Sequence, residues 1–273
     1  MQIEQIELFH IKMPLNFNFK TSQASIKYRE TIVIKATDEL ENVGYGEVVS
    51  FNDPFYTNET LASSKKVLIN KYIKSVIHKE MDHPFDIHEY LDVECPMALA
   101  GLENALVDIY AKRNKLSIMK LVFNEDTDDE IYAGVVLGDL DIKTLLKQIE
   151  DYQNEGYTRF KLKIKPADGL KKLRAIRKIY PSIQLLIDAN RSYKFEQINE
   201  IKKLDEFNLI CIEEPLDSKD FLEYQKLQKE LTTPICLDES IQTINDLKTA
   251  MELKAFKVLN IKIGRVEIGR AHV

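Results

Sequence analysis

Residues 159–262 contain five apolar runs that each carry charge at or next to their end: RFKLKI (159–164), IQLLID (183–188), LICIEE (209–214), PICLD (234–238) and VLNIK (258–262). Segments with apolar residues at helical spacing lie between them, at 168–179, 195–205, 218–229 and 243–252. IYAGVVL (131–137) and a helix over 142–155 precede the series. Alternating strands and helices predict right-handed βαβ units and a parallel sheet. The strands stay almost wholly apolar until their last residues, as expected when both sheet faces are covered. The charged ends recur at one interval. Lys163 to Asp188, Asp188 to Glu213 and Glu213 to Asp238 are each 25 positions, and Asp238 to Lys262 is 24. Each βα unit thus returns the chain to the same height. The fold class predicted is an α/β barrel of TIM type, incomplete here at about six βα strands, with these side chains on its C-terminal rim. A doubly wound open sheet would set them along an edge but not around a common centre.

Ahead of the barrel pattern, residues 2–12, 29–37 and 43–49 are β-rich, and Gly44 and Gly46 interrupt the third run. Helices are expected over 58–78, near 84–92 and after Pro96, where Leu102, Ala105, Leu106 and Ile109 make a core-facing stripe. This predicts an α+β capping domain over 1–125, an acidic linker at 124–130, and a partial barrel domain over 126–267. The composition excludes several function classes. Net charge is −6, which argues against a nucleic-acid partner. The apolar runs are far too short for a membrane span, and the N-terminus lacks a signal-peptide pattern. Three cysteines without a CxxC pair point to a reducing, cytoplasmic setting. The five histidines form no zinc spacing. A homo-oligomer is compatible with the sequence, which does not fix the state.

Asp188, Glu213 and Asp238 end three consecutive strands. Any one alone reads as a loop carboxylate paired with a neighbour. Converged without a cation, the three would repel, and one or more would take up a proton. A hard divalent ion resolves this, and all-oxygen donors select Mg²⁺, with Mn²⁺ as the alternative. Lys161 and Lys163 are two apart on one strand and share a face. A lysine turned inward beside another cation has its pKa lowered and can serve as a base, so Lys163 and Lys262 read as catalytic; Lys165 reads as a solvated rim residue. The chemistry implied is removal of a proton next to the carboxylate of a small-molecule substrate, through an enediolate.

KLKIKP (161–166), LLIDAN (185–190), IEEPL (212–216), PICLDES (234–240) and NIKIGRV (260–266) resemble the barrel signatures of the enolase superfamily, muconate-lactonizing subgroup. Within it the chain resembles the o-succinylbenzoate synthase and N-succinylamino acid racemase group. FNDPFYTNET (51–60) and ALAGLENALVDIYAK (98–112) look like that group's capping segments. The resemblance implies Asp188, Glu213 and Asp238 as Mg²⁺ ligands, Lys163 as base, Lys262 as its partner, and Lys161 as an electrostatic contact to the substrate carboxylate. It implies that Asn190 and Glu239 orient the ligands and the sixth-strand lysine. The expected activity is o-succinylbenzoate synthase, a hydro-lyase of menaquinone synthesis. N-succinylamino acid racemase or dipeptide epimerase is the first alternative and an inactive homologue the second. Segments near 16–28 and 50–57 are expected to close over the substrate, with Phe51, Phe55 and Tyr56 as lid contacts or as packing within the cap.

The sequence departs from that pattern in three places. Glu214 stands where relatives carry Gln, and is expected to compete as a ligand or to be a solvated neighbour. Arg191 stands where a small hydroxyl residue is usual. A barrel of about 250 residues would continue well beyond strand six. The last residues, 268–273, are expected to be a non-native tail, and the chain as it stands is expected to fold poorly and turn over little.

Overall fold

In the computed structural model of the chain, residues 1–20, 25–126 and 130–266 are described. The expected tail at 268–273, part of the linker at 124–130 and part of the segment at 16–28 lie outside them. Two compact units result: Met1–Asp129 with the segment from Ile261 onward, and Glu130–Asn260.

The first unit is built on an antiparallel sheet in the order β1 (Ile3–Lys20), β2 (Ser25–Asp38), β3 (Val43–Val48). The Asp38 carboxylate closes the β2–β3 turn by accepting the N–H groups of Leu40 and Asn42 at 3.0 and 2.8 Å. Helix α1 (Leu61–Val67) passes through a π-helical turn into α2 (Ile73–Val76), followed by α3 (Ile87–Tyr90) and α4 (Pro96–Asn114). Pro96 opens α4, where its missing N–H costs nothing. Glu59 caps that end, accepting from Met97 N and Ala98 N at 2.8 and 2.9 Å. The glycines expected to interrupt the third strand do not: β3 runs through them. A Cβ at Gly46 would lie 1.9 Å from Gly101 O, and one at Gly44 2.1 Å from Ala105 O. Both glycines let α4 lie directly on the sheet, burying Ile32, Ile34, Ala36, Leu102, Ala105 and Leu106.

The second unit is a parallel sheet of six strands in sequence order. The elements are β4 (Val135–Leu137), α5 (Ile142–Asn154), β5 (Arg159–Lys163), α6 (Gly169–Ile179), β6 (Gln184–Asp188), α7 (Ile198–Lys202), β7 (Ile212–Glu213), α8 (Phe221–Glu230), β8 (Ile235–Leu237), α9 (Ile244–Glu252) and β9 (Val258–Leu259). These six strands form a partial α/β barrel, and the first unit is an N-terminal α+β unit of the capping type. Phe160 pairs in register with Leu185, and Leu162 with Ile187; all four are fully buried. Burial of such side chains contributes about 1.5–3 kcal/mol each. Lys172 of α6 is buried between Asp139 and Asp168, each 2.7 Å away, and ties the loop after β4 to the start of α6.

The strands are shorter than their apolar runs suggest. Residues 131–134 precede β4, with Ile131 and Tyr132 at 87 % and 77 % exposure, and residues 209–211 precede β7. Apolarity marks burial, whereas a ladder also needs a partner in register. A last helix, α10 (Ile263–Val266), belongs to the first unit and lies against α4. Among the described residues no helix is long and apolar enough to cross a membrane.

Candidate active site

Lys163, Asp188 and Glu213 are the last residues of β5, β6 and β7, and Asp238 directly follows β8. Register sets them side by side: Lys163 pairs with Asp188, and Asp188 with Glu213. All three carboxylates are buried, at 2 %, 3 % and 4 % exposure. Nitrogen donors span the gaps between them. Lys161 Nζ lies 2.8 Å from Asp188 Oδ2 and 2.7 Å from Glu213 Oε1. Asn260, just past β9, donates through Nδ2 to Glu213 Oε1 at 2.9 Å and to Asp238 Oδ2 at 3.3 Å. Lys163 Nζ donates to Asn190 Oδ1 at 2.6 Å and lies 3.8 Å from Asp188 Oδ2. Asn190 in turn donates to Glu239 Oε1 at 3.3 Å. Asp188, Glu213, Asp238, Lys161, Lys163, Asn190 and Glu239 thus form one connected group.

The electrostatics follow from burial. Desolvation acts to lower the Lys161 pKa, but Asp188 and Glu213 outweigh it and hold the ammonium above its ordinary value. Lys161 therefore stays charged, and two of its three N–H donors are committed. Burial, then the charge of Asp188, raises the Glu213 carboxyl. Burial, with Asp238 and Glu214 nearby, pushes Glu239 up to about 7.

Three buried carboxylates on adjacent strand ends make an all-oxygen donor set of the kind a hard divalent ion takes. Two further observations fit such an ion. Glu213 accepts from both Lys161 and Asn260 on one oxygen, Oε1. Glu239 Oε2 is buried with no hydrogen-bond partner. The set is not closed into a cage. Among the described residues, no three His, Cys, Asp or Glu side chains converge closely enough to hold a metal. Lys161 and Asn260 stand in the gaps instead.

Lys262 comes three residues after β9, directly precedes α10 and groups with the first unit. Phe51, Phe55 and Tyr56 form an aromatic cluster, with ring centroids 4.7 and 6.2 Å from Phe51, and the Arg29 guanidinium sits 4.7 Å over Phe51. Arg191 turns away to the carbonyl of Asp217. Glu214 is neither ligand nor solvated neighbour: it is fully buried and accepts from the backbone N–H of Asp238. Asn260 was not singled out from the sequence. The i, i+2 reasoning that paired Lys161 with Lys163 would have found it, two positions before Lys262.

The enolase C-terminal domain-like family matches residues 144–270. The chain is 40% identical over 268 residues to an o-succinylbenzoate synthase of Bacillus subtilis, covering 97% of this chain and 72% of that protein. It is 36% identical to an N-succinylamino acid racemase of Thermus thermophilus, with 97% and 72% covered. A solved enolase superfamily member from Listeria innocua superposes with a TM-score of 0.92 at 34% identity, covering 99% of this chain and 74% of that one. With its strand-end carboxylates and lysines in the same connected group, the chain belongs to the enolase superfamily, a family of enzymes.

Proposed function

We propose that this chain is built for the o-succinylbenzoate synthase reaction, the dehydration of a succinyl-hydroxy-cyclohexadiene carboxylate in menaquinone synthesis. The observation that carries the reading is the pair of lysines on β5, placed in two different electrostatic roles. Lys161 is locked between Asp188 and Glu213 as a permanent cation and keeps one N–H free for the substrate carboxylate. Lys163 donates to a neutral acceptor, the Asn190 side-chain oxygen, at 2.6 Å and stands farther from Asp188, at 3.8 Å, than Lys161 does. Neutral Lys163 removes the proton α to the substrate carboxylate. The electrons of that C–H bond form the new ring double bond as the C–O bond to the hydroxyl breaks. The Lys163 ammonium returns the proton to the departing hydroxide, so one water is lost and the ring becomes aromatic. Lys262 would steady the developing negative charge from the other side.

Asp188, Glu213 and Asp238 are the residues that would hold Mg²⁺ or Mn²⁺. A bound divalent ion supplies Lewis-acid stabilisation of the carboxylate as charge builds. Asn190 and Glu239 orient this group, since Asn190 links Lys163 to Glu239. The three cysteines are free and buried, which supports a reducing, cytoplasmic setting.

A second reading, racemisation of N-succinylamino acids, is favoured by the similarity to the Thermus thermophilus racemase. The two lysines would then act on opposite faces of one carbon. The test is to incubate the chain with Mg²⁺ and each substrate in turn. Appearance of o-succinylbenzoate without deuterium exchange into N-succinylamino acids supports the synthase. Exchange without dehydration supports the racemase. Neither product, with no Mg²⁺ bound, would leave an inactive homologue.

A further inference from the structure

Glu214 is a fully buried carboxylate for which the chemistry proposed above has no use. Its surroundings are unusual for a buried anion. Oε2 accepts the Asp238 backbone N–H at 2.7 Å. Oε1 accepts from the Ser240 hydroxyl and from the Tyr224 hydroxyl, the latter at 3.2 Å. Tyr224 is itself fully buried on α8, and its hydroxyl lies 3.2 Å from Leu216 O as well. The Glu214 backbone is also pinned. Its N–H donates to Cys236 O at 2.9 Å, and its carbonyl accepts Arg191 N at 2.7 Å. It holds φ of +41°, a left-handed conformation that a side-chain-bearing residue adopts at a cost.

A charged group in this position would normally find a cation. Here every donor to the carboxylate is neutral, and each comes from a different part of the rim: the backbone of Asp238, the side chain of Ser240 two residues on, and α8. These bonds span the stretch Asp238–Glu239–Ser240, so the direction in which Asp238 leaves β8 is set by Glu214. From this geometry we infer that Glu214 is a positioning residue: by tying Asp238 N, Ser240 and Tyr224 together, it fixes the orientation in which Asp238 faces Glu213 and Asn260. The functional part rests on the proposed role of Asp238 as a cation ligand; the structural part does not.

Two readouts separate those parts. The first is amide hydrogen exchange of the peptide spanning Asp238, which needs no metal. The second is Mg²⁺ affinity by calorimetric titration. Glu214→Ala should speed exchange at Asp238 at least tenfold and weaken Mg²⁺ binding about 10–100-fold, with far-UV dichroism retained. Glu214→Gln should restore both to within about threefold of the parent chain, because an amide oxygen still accepts from Asp238 N while both hydroxyls can turn to accept from its NH₂. If Glu214→Ala does not fold, Ser240→Ala and Tyr224→Phe take its place, and each should speed exchange at Asp238 two- to fivefold. Unchanged exchange at Asp238 in folded Glu214→Ala, or in both replacements, overturns the inference, as does a Gln variant as impaired as the Ala one. If the parent chain binds no Mg²⁺, the ligand role of Asp238 fails while the exchange result still decides the positioning role.

Discussion

Lys161 is the side chain that holds the carboxylate group together. Its ammonium lies 2.8 Å from Asp188 Oδ2 and 2.7 Å from Glu213 Oε1, with about a fifth of the side chain exposed. At an effective dielectric near 20, each contact is worth roughly 6 kcal/mol of gross attraction. Most of that is offset by the cost of taking the ammonium and two carboxylates out of water. The loss on removing the ammonium is governed instead by what remains, two buried anions facing one another. Breaking a buried ion pair from one side costs about 3–5 kcal/mol. Lys161→Met keeps the aliphatic stem and deletes only the charge. In chelator it should lower the unfolding midpoint by roughly 10 °C, using about 2–4 °C per kcal/mol for a chain of this size. Mg²⁺ should then recover more stability in the variant than in the parent, because the ion replaces a missing charge. Saturation at a hundred times Kd returns about 2.7 kcal/mol. The assay is thermal unfolding followed by far-UV dichroism, with and without Mg²⁺. A Lys161→Met midpoint within 2 °C of the parent in chelator would refute the account of how these carboxylates are held.

Other outcomes follow from separate features. Lys163→Ala should reduce turnover by about 10²–10⁴-fold, the usual contribution of a positioned base, with the fold intact; near-parental turnover would remove Lys163 from the chemistry. Gly46→Ala should destabilise the first unit by about 3 kcal/mol or more, because its Cβ would meet backbone oxygen at 1.9 Å, and an unchanged unfolding midpoint would contradict that packing. Burial pushes the Glu39 carboxyl up, but the Gln2 N–H and the Arg113 guanidinium outweigh it and hold its pKa at about 2 against an ordinary 4.5. A depressed carboxyl pKa stabilises the fold above pH 4.5 and loses that contribution as pH falls toward 2. Glu39→Gln should therefore flatten the stability profile in that window, by under about 1 kcal/mol given the exposure of the pair, and a slope identical to the parent would show the contacts to be inert.

The sheet and its order were legible because burial on both faces leaves a nearly continuous apolar strand, and because one βα unit has one length. The interval of 25 residues was therefore a geometric quantity that could be read as letters. The strand limits were not legible: residues 209–211 are as apolar as a strand, yet β7 is only Ile212–Glu213. Residue types did mark the acidic group, but the contacts inside it depend on side-chain reach. Nothing in the letters shows that Asn260 reaches both Glu213 and Asp238, or that Lys161 fills the space between two carboxylates. Glu214 was misjudged for a related reason. A second acidic residue beside a strand-end glutamate suggests a second ligand only if both side chains point the same way. Successive strand residues face opposite sides, and the left-handed turn at Glu214 carries its carboxylate under the next strand end.

That turn has a counterpart after β6. Asn190 and Arg191, two and three residues after β6, and Glu214, directly after β7, all have φ between +41° and +61°. None is glycine, the residue that would take these conformations without strain. Each is retained in a place where its side chain or backbone has a fixed task. Asn190 must offer Oδ1 to Lys163, Arg191 N must reach Glu214 O, and Glu214 must hold Asp238. A glycine at either strand end would relieve the backbone and delete the side chain that links one strand end to the next. The strain is therefore tied to the connected group itself. The rim of β6 and β7 gives up backbone stability so that residues from successive strands, each too short to reach the others unaided, act as one unit.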